Sequence, residues 1–302
     1  MPIQLPPISR RQFLGASLAA LAGGAFIGDL RADGKPVDPT RVALFSDTHL
    51  AADAKAISRQ VCMLEHFEAA RASMLAMPAL PGAMLINGDL ALNAGLPGDY
   101  VTITNGLKPI REAGIPVHLL LGNHDDRDNF WKALPPEDAN KAVEGKHLSI
   151  LKSKHADLIL LDSLEFVNKT PGLIGDVQRA WLAKALDARA DRPCVVVVHH
   201  NPTDPANSKV AGIKDTDELM KVLLPRKQVK ALVFGHTHKW VKTSIEGMHL
   251  VNLPPVAYPF KATDPSGWVD GIFTDSGAKL TLRCVGPRNP ADGEVFDLKW
   301  RT

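Results

Sequence analysis

Side chains that could bind a metal ion follow five separate apolar segments of the sequence. In chain order they are Asp47 and His49, Asp89, Asn123 and His124, His199 and His200, and His236 and His238. A single aspartate or histidine after a strand is usually a turn former or a cap. In open α/β sheets, however, ligands bind beyond the carboxyl ends of the strands. Five such endings in succession therefore predict that these side chains converge on one site.

The donor types indicate which ions the site would take. Carboxylate, amide oxygen and imidazole together suit ions of intermediate hardness, such as Mn, Fe, Co, Ni or Zn, and the absence of thiolates disfavours a structural zinc site. The donors are too many for one ion and sufficient for two divalent or trivalent ions. A pair of ions ~3.5–4 Å apart clamps the attacking and leaving oxygens of a phosphoryl transfer and activates bound water. This chemistry predicts hydrolysis of a phosphoester.

The segments that must position these donors alternate between apolar strands and amphipathic helices. Helical spacing predicts helices over residues 53–77, 98–113 and 215–227, and another that begins at Asp176. Beyond residue 240 the pattern changes to β-hairpins. Strands alternating with helices are typical of βαβ units and a layered α/β architecture. With no internal repeat or interior linker, residues 35–302 are expected to form one domain.

Composition excludes some partners. The chain has 302 residues, 45% of them hydrophobic, with 35 Lys+Arg against 33 Asp+Glu. This near balance gives no electrostatic basis for binding nucleic acid or a membrane surface, so no nucleic-acid partner is expected. The three cysteines have no metal-binding spacing.

The N-terminal residues predict export. In "SRRQFLGASLAALAGGAFIG", Arg10 and Arg11 precede an uncharged stretch over residues 13–28, which matches the charged and apolar regions of an export signal. The apolar stretch is too short and too rich in Gly and Ala for a membrane span, so no span is expected in the mature form. "SRRQFL" resembles the twin-arginine export signal. The resemblance implies a signal peptide over residues 1–34, the twin-arginine export machinery as a partner, and a periplasmic or other extracytoplasmic location.

The ordered motifs "DTH", "GD", "GNHD", "HH" and "GHTH" resemble those of the calcineurin-like metallophosphoesterase superfamily over residues 41–258. The longer context, including "GNHDDRDNF" and "VVVVHHNP", looks most like the bacterial branch of cyclic-nucleotide and glycerophosphodiester phosphodiesterases. The resemblance implies an α/β fold, a four-layer αββα sandwich of two mixed β-sheets flanked by helices, with the metal site at the carboxyl ends of the strands.

Carried over by position, the resemblance assigns ligands to two metal ions. One ion would be held by Asp47, His49, Asp89 and His238, and the other by Asp89, Asn123, His199 and His236. Asp89 would bridge the two ions, as would a hydroxide that attacks phosphorus. His124 would be catalytic, stabilising charge on the phosphoryl oxygens or protonating the leaving group.

Neighbouring residues receive supporting roles. His199 is preferred to His200 as the ligand because the wider superfamily has one histidine there. His200 would then contact a ligand or line the substrate pocket. Asp125 and Asp126 are expected to cap the next helix, and Asp125 could also orient a ligand histidine. Asn201 stands where the branch often has proline, which could alter the substrate rim.

Several alternatives stay open at this point. The leading hypothesis is a dinuclear phosphodiesterase that acts on a small phosphorylated substrate. A phosphomonoesterase or pyrophosphate hydrolase would use the same site, and a non-catalytic metal- or phosphate-binding protein would use the same scaffold. The native metals and the oligomeric state are not specified. His147 is expected on the surface or on a helix, and Arg127 is expected to be solvated.

Overall fold

Two six-stranded mixed β-sheets lie face to face at the centre of the computed structural model, which describes residues 34–134, 142–203 and 212–302. The predicted signal over residues 1–34 lies outside these ranges except for its last residue. The strands are β1 Val37–Phe45, β2 Ile57–Ser58, β3 Val61–Cys62, β4 Leu80–Asn87, β5 Val117–Leu120, β6 Ser149–Lys152, β7 Asp157–Leu160, β8 Cys194–Val197, β9 Val229–Phe234, β10 Val241–Ile245, β11 Met248–Asn252, β12 Gly267–Phe273, β13 Gly277–Cys284 and β14 Val295–Lys299. The helices are α1 Met63–Leu75, α2 Pro97–Glu112, α3 Arg127–Ala133, α4 Asp176–Asp187 and α5 Thr216–Leu223.

Each sheet contains a parallel part that aims its carboxyl ends at the same edge. The first sheet has the order β14-β13-β12-β1-β4-β5, in which β1, β4 and β5 are parallel and the other three strands are antiparallel. The second has the order β10-β11-β9-β8-β7-β6, with parallel pairing from β11 to β7 and an antiparallel strand at each edge. The predicted mixed sheets are therefore confirmed.

Alternate residues of the central strands enter different layers. In β1, Val42 and Leu44 pack between the two sheets, whereas Ala43 and Phe45 pack beneath α1 and α2. The second half of the strand, residues 42–45, is buried on both faces, which explains its continuous apolar sequence. A third apolar cluster joins α4 and α5 to the outer face of the second sheet. The order helices, sheet, sheet, helices confirms the four-layer αββα sandwich.

The prediction of one helix over residues 53–77 is wrong in its first third. Residues 57–62 form the β2–β3 hairpin, and the helix begins only at Met63. Ile57 and Val61 have helical spacing from Leu64, but Ile57 is 71% exposed and belongs to a strand. The turn residues Arg59 and Gln60 have φ of 48° and 67°, a left-handed backbone that no α-helix contains.

The other helices and hairpins follow the sequence closely. Helix α2 and helix α5 fall within a residue or two of their predicted starts, and the β10–β11 and β12–β13 hairpins occupy the region beyond residue 240. Strand β14 was not predicted from the sequence and extends the first sheet at its edge. Within the described ranges, none of the helices is long and apolar enough to cross a membrane.

Candidate metal centre

The polar strand ends of both sheets meet at one edge of the sandwich. Three overlapping groups have ligand atoms that all lie within 4.8 Å of one another: Asp47 with His49 and His238, His49 with Asp89 and His124, and Asp89 with His199 and His236. The loops after strands of the first sheet supply Asp47, His49, Asp89 and His124. Those after strands of the second sheet supply His199, His236 and His238. The structure thus brings together seven of the residues that the sequence singled out. Asn123 lines the same pocket.

The loops that carry these side chains have an unusual backbone. Asp47, His49, Asp89, His236 and His238 all have φ between 46° and 65°. Non-glycine residues rarely adopt this left-handed conformation, and each instance costs about 1–2 kcal/mol. Such strain persists only where surrounding contacts fix it, and it is concentrated here on five candidate ligands.

Hydrogen bonds between the loops fix that conformation. The Asp47 amide donates to Gly88 O at 3.2 Å, and the His49 amide donates to Asp89 O at 2.9 Å, so the loops after β1 and β4 run side by side. The amide of His236 donates to Asp47 Oδ1 at 3.1 Å, which ties the second sheet to the first. The loop backbones are therefore held by contacts within the chain itself.

Asn87 joins the two sheets beneath the site. The side-chain Nδ2 of Asn87 donates to Val198 O at 3.1 Å. Its backbone carbonyl oxygen accepts from His199 Nδ1 at 2.9 Å and from Ser46 Oγ at 3.1 Å. Ser46 directly precedes Asp47, and Asn87 lies two residues before Asp89. The bridging role of Asn87 depends on Val198 and His199, more than a hundred residues away, which the local pattern does not reveal.

The imidazoles are oriented by their Nδ1 atoms. Nδ1 faces a backbone carbonyl oxygen in His49 (3.3 Å to Leu92), His124 (2.8 Å to Asn93) and His238 (2.5 Å to Tyr258), as it does in His199. A carbonyl oxygen can only accept, so each neutral ring carries its proton on Nδ1. The Nε2 lone pairs are then left for another partner, as in histidines that bind metal.

The atoms that face one another at the centre are nearly all acceptors. His49 Nε2 lies 3.2 Å from His238 Nε2, and Asp47 Oδ1 lies 3.4 Å from His238 Nε2. Asp89 Oδ2 lies 3.3 Å from His199 Nε2 and 3.7 Å from His49 Nε2. Among the described residues, the buried Asn123 Oδ1 and His199 Nε2 have no hydrogen-bond partner. Converging lone pairs of this kind need cations, so the residues present fit metal ions.

The close approach of these buried side chains shifts the pKa values of Asp89, His199 and His49. Burial opposes ionisation of Asp89, but the charge of His199 outweighs it and holds the pKa of Asp89 well below its usual value. Burial would lower the pKa of His199, yet the charge of Asp89 raises it to about 9. His49 has the opposite outcome, because burial lowers its pKa to about 4 despite Asp89. The charge of Asp89 thus favours protonation of His199, and metal binding at His199 would have to displace that proton.

A pocket of about 690 Å³ opens over the candidate ligands. His49, Asp89, Asn123, His124, His236 and His238 line its floor, and its walls include Phe234, Val241, Leu250, Tyr258 and Phe260. His124 is half-buried at this floor, and its amide donates to Asp89 Oδ1 at 2.9 Å. Tyr258 stacks on His49 and Phe260 on His238, with ring centroids 5.2 and 4.1 Å apart.

His200 and Asp125 lie just outside the ligand groups. His200 is buried, its Nδ1 is 2.7 Å from Ser163 Oγ, and its ring packs 4.7 Å from that of His236. Asp125 is fully buried and accepts hydrogen bonds from the backbone amides of Leu90, Ala91 and Gly122 and from the Tyr100 hydroxyl. Burial, and then the charge of Asp89, raises the pKa of Asp125 to about 7.

The two aspartates after His124 therefore differ in role. Asp126 caps helix α3 by accepting from the Asn129 amide at 2.8 Å, as expected from the sequence. Asp125 ties the loops after β4 and β5 together through backbone amides, and its hydrogen bonds do not go to a ligand histidine or to the helix terminus. A carboxyl group suits this position because four donors, three backbone amides and the Tyr100 hydroxyl, converge on it.

Two expectations about residues outside the site are wrong. Arg127 is not simply solvated, because its guanidinium makes bonds of 2.6 and 2.9 Å to the two oxygens of the fully buried Asp162. His147 is buried, with Nε2 3.1 Å from Leu119 O and Nδ1 accepting from Trp131 Nε1 at 3.2 Å. Both partners are distant in sequence, so the local pattern gives no indication of them.

Comparison with known proteins agrees with this geometry. Residues 40–240 match the family described as Calcineurin-like phosphoesterase, and the chain belongs to that family. The chain is 27% identical over 240 residues to a protein of Psychrobacter arcticus named "Probable cyclic nucleotide phosphodiesterase", covering 75% of this chain and 83% of that protein. It is 30% identical over 180 residues to the 3',5'-cyclic adenosine monophosphate phosphodiesterase CpdA of Haemophilus influenzae, covering 59% of this chain and 62% of that protein.

The fold has a close counterpart among solved structures. A dimetal phosphatase from Danio rerio superposes with a TM-score of 0.66 at 12% identity, covering 87% of this chain and all of that chain. At this identity the similarity concerns the fold alone. Together with the family match, it defines a metallophosphoesterase fold with a candidate metal-ligand cluster at the expected edge of the sheets.

Proposed function

We propose that the protein is a metal-dependent phosphodiesterase that holds two metal ions at its strand ends. The observation that supports this most directly is the position of Asp89, which belongs to one ligand group with His49 and to another with His199 and His236. Asp47, His49 and His238 would hold the first ion, and Asn123, His199 and His236 would hold the second, with Asp89 shared.

A bound pair of divalent ions would supply activated water and neutralise charge on the phosphoryl oxygens. The chain's own contribution beyond the ligands centres on His124. Its Nδ1 is held by Asn93 O, so Nε2 remains for the substrate at the pocket floor. In its protonated form, His124 would donate that Nε2 proton to the departing alkoxide oxygen.

The pocket favours a diester over a monoester. A diester carries a second organic group, and the walls formed by Phe234, Val241, Leu250 and Phe260 offer apolar surface for it. A monoester carries an additional negative charge, and Lys239 is the one lysine or arginine among the described residues that line this pocket. The names of the relatives favour a cyclic nucleotide as one such diester.

The first experiment is hydrolysis of bis-p-nitrophenyl phosphate by protein freed of metal and then loaded with Mn²⁺. We expect no turnover without metal, turnover with it, and slower turnover of p-nitrophenyl phosphate and of pyrophosphate. Faster hydrolysis of the monoester or of pyrophosphate would assign the site to one of those reactions. Absence of hydrolysis in every metal-loaded form would leave a binding protein on the same scaffold.

A second experiment tests the proton donor. The p-nitrophenolate leaving group needs no proton, whereas the ribose alkoxide of 3',5'-cyclic AMP does. The variant His124→Ala should therefore lose about 10²–10⁴-fold in kcat on the cyclic nucleotide and much less on the aryl ester. An equal loss on both substrates would exclude general-acid catalysis by His124.

We also propose that the protein is exported by the twin-arginine machinery. The support is the sequence "SRRQFL" and the uncharged stretch that follows it, which lie outside the described residues. Replacing Arg10 and Arg11 together by lysine should leave the protein in the cytoplasmic fraction of a host that has this machinery. Unchanged recovery from the periplasmic fraction would contradict export by this route.

A further inference from the structure

A second pocket of about 550 Å³ adjoins the metal pocket and shares Phe260 with it. We call it the second pocket; the residues that define it here are Arg59, Gln60, His66, Phe260, Ser266 and Arg288. Phe260 is half exposed and has its ring stacked on His238 at an interplanar angle of 7°. The shared ring therefore separates the candidate metal ligands from the second pocket by a single aromatic side chain.

Arg59 lies at the tip of the β2–β3 hairpin, above that ring. Its guanidinium carbon is 5.0 Å from the centre of the Phe260 ring and 5.8 Å from that of Tyr258. These two rings stack on His238 and His49, so the arginine charge lies one ring away from two candidate ligands. The turn holds Arg59 at φ 48°, a conformation that favours Gly or Asn over a long side chain. A long side chain held on a strained backbone is a candidate for a functional role.

The lining of the second pocket carries more positive than negative charge. Neither Arg59 nor Arg288 forms an ion pair with any described residue, and both are exposed. Asp264 is the one acidic residue among the described residues lining the pocket. Ser266 is 7% exposed, and its buried Oγ has no hydrogen-bond partner within the described ranges. Two guanidinium groups and a hydroxyl suit an anion such as a carboxylate or a phosphate.

We propose that Arg59, assisted by Arg288, binds a second anionic group of the substrate, a carboxylate or phosphate carried on the ester arm that passes Phe260 into the second pocket. This inference rests on the proposed phosphodiesterase activity and specifies a class of linear diesters, which carry a negative charge that a cyclic nucleotide lacks. The metal centre would hold the scissile phosphoryl group, and the arginines would select diesters that carry a further negative charge.

A matched pair of substrates tests the proposal. Both release p-nitrophenol, and the other arm is either phenyl or 4-(carboxymethyl)phenyl. In wild-type protein loaded with Mn²⁺, we expect kcat/KM for the carboxylated diester to exceed that for the phenyl diester about tenfold, a typical effect of one charge-assisted hydrogen bond. Arg59→Gln should bring this ratio close to one, and Arg288→Gln should lower it in part. Lys279→Gln removes an exposed charge on β13 and should leave the ratio unchanged.

Two outcomes would overturn the proposal. One is a wild-type ratio near one while both diesters are hydrolysed. The other is an equal loss on both diesters in Arg59→Gln, which would mean that Arg59 only holds Phe260 in place.

A binding measurement separates this proposal from the activity itself. Benzylphosphonate and 4-carboxybenzylphosphonate cannot be hydrolysed, and calorimetry gives their dissociation constants for Mn²⁺-loaded protein. The carboxylated compound should bind about tenfold more tightly to wild type and with no advantage to Arg59→Gln. Equal dissociation constants in wild type would refute the role of Arg59 even if both diesters are hydrolysed. Absence of hydrolysis with this preference intact would refute only the proposed activity.

Discussion

Replacing Gly122 by alanine should remove bound metal without unfolding the protein. Gly122 follows β5 and precedes Asn123, and a Cβ atom at this position would lie 2.1 Å from Asp89 Oδ1 and 2.4 Å from the Asp89 amide nitrogen. The amide cannot rotate away as a long side chain could. The 2.4 Å separation from the amide nitrogen is about 1 Å shorter than an ordinary van der Waals contact. The two loops must therefore move apart by several times the roughly 0.2 Å by which metal–ligand distances can vary.

The magnitude follows from the two effects of that displacement. Overpacking of a fixed backbone costs about 1–3 kcal/mol, and we expect a loss near the upper end in urea unfolding of the metal-free protein. Displacement of the shared carboxylate should weaken Mn²⁺ binding at least about a hundredfold, the upper range seen when residues that support ligands are altered. Metal content after gel filtration and kcat/KM on bis-p-nitrophenyl phosphate provide the readouts.

Gly175→Ala is the matched control for Gly122→Ala. Gly175 has φ 81°, and a Cβ there would meet no atom within 4 Å. The control should lose about 1–2 kcal/mol through backbone strain and keep its metal. Retention of full metal content by Gly122→Ala, with stability reduced as in the control, would refute the steric reasoning and the central position of Asp89.

Three further predictions concern stability. Arg127→Gln should cost about 3 kcal/mol in urea unfolding, because it leaves the carboxylate of Asp162 buried without its cation. Burial lowers the pKa of His147 to about 4, so its contribution is complete above pH 6.5 and is lost as pH falls toward 4. Between pH 7.5 and 4.5, wild type should thus lose about 2–3 kcal/mol more than His147→Gln. Asp126→Ala should cost about 1 kcal/mol through loss of the helix cap, and Asp128→Ala, exposed in the same turn, less than half as much.

Each of these stability predictions has a clear contrary result. A loss under 1 kcal/mol in Arg127→Gln would show that the buried carboxylate is satisfied by its other hydrogen bonds. Parallel pH profiles of wild type and His147→Gln would mean that the imidazole takes up a proton in the folded state. Equal losses in Asp126→Ala and Asp128→Ala would assign the effect to charge near the helix terminus and not to the cap.

The strand ends could be predicted because their chemistry is local. An apolar run followed at once by Asp, Asn or His identifies both a buried strand and a donor at its carboxyl end. The parallel direction of β1, β4, β8 and β9 then gathers these ends without further information. The alternation of strands and helices predicted a layered α/β architecture, whereas the four-layer order was implied by the resemblance to the calcineurin-like metallophosphoesterases.

The remaining features depend on contacts that the local sequence does not contain. Asn87, Arg127 and His147 each acquire their role from a partner in another element. The β2–β3 hairpin was missed because the apolar spacing around Ile57 fits a helix and because Arg59 and Gln60 are not residues that mark a left-handed turn. Tertiary contacts with Tyr258 and Phe260 accompany a conformation that the turn sequence alone disfavours.

The donors are divided between two sheets that touch mainly through a layer of apolar side chains. Sliding one sheet over the other by a fraction of an ångström would alter every spacing between the Asp47–His124 half and the His199–His238 half at once. Residues deep in that layer, such as Leu44 and Val197, therefore set the distance between the two halves of the metal centre. Preference for a larger or smaller ion could thus be tuned by repacking hydrocarbon far from any ligand, with the coordinating groups left intact.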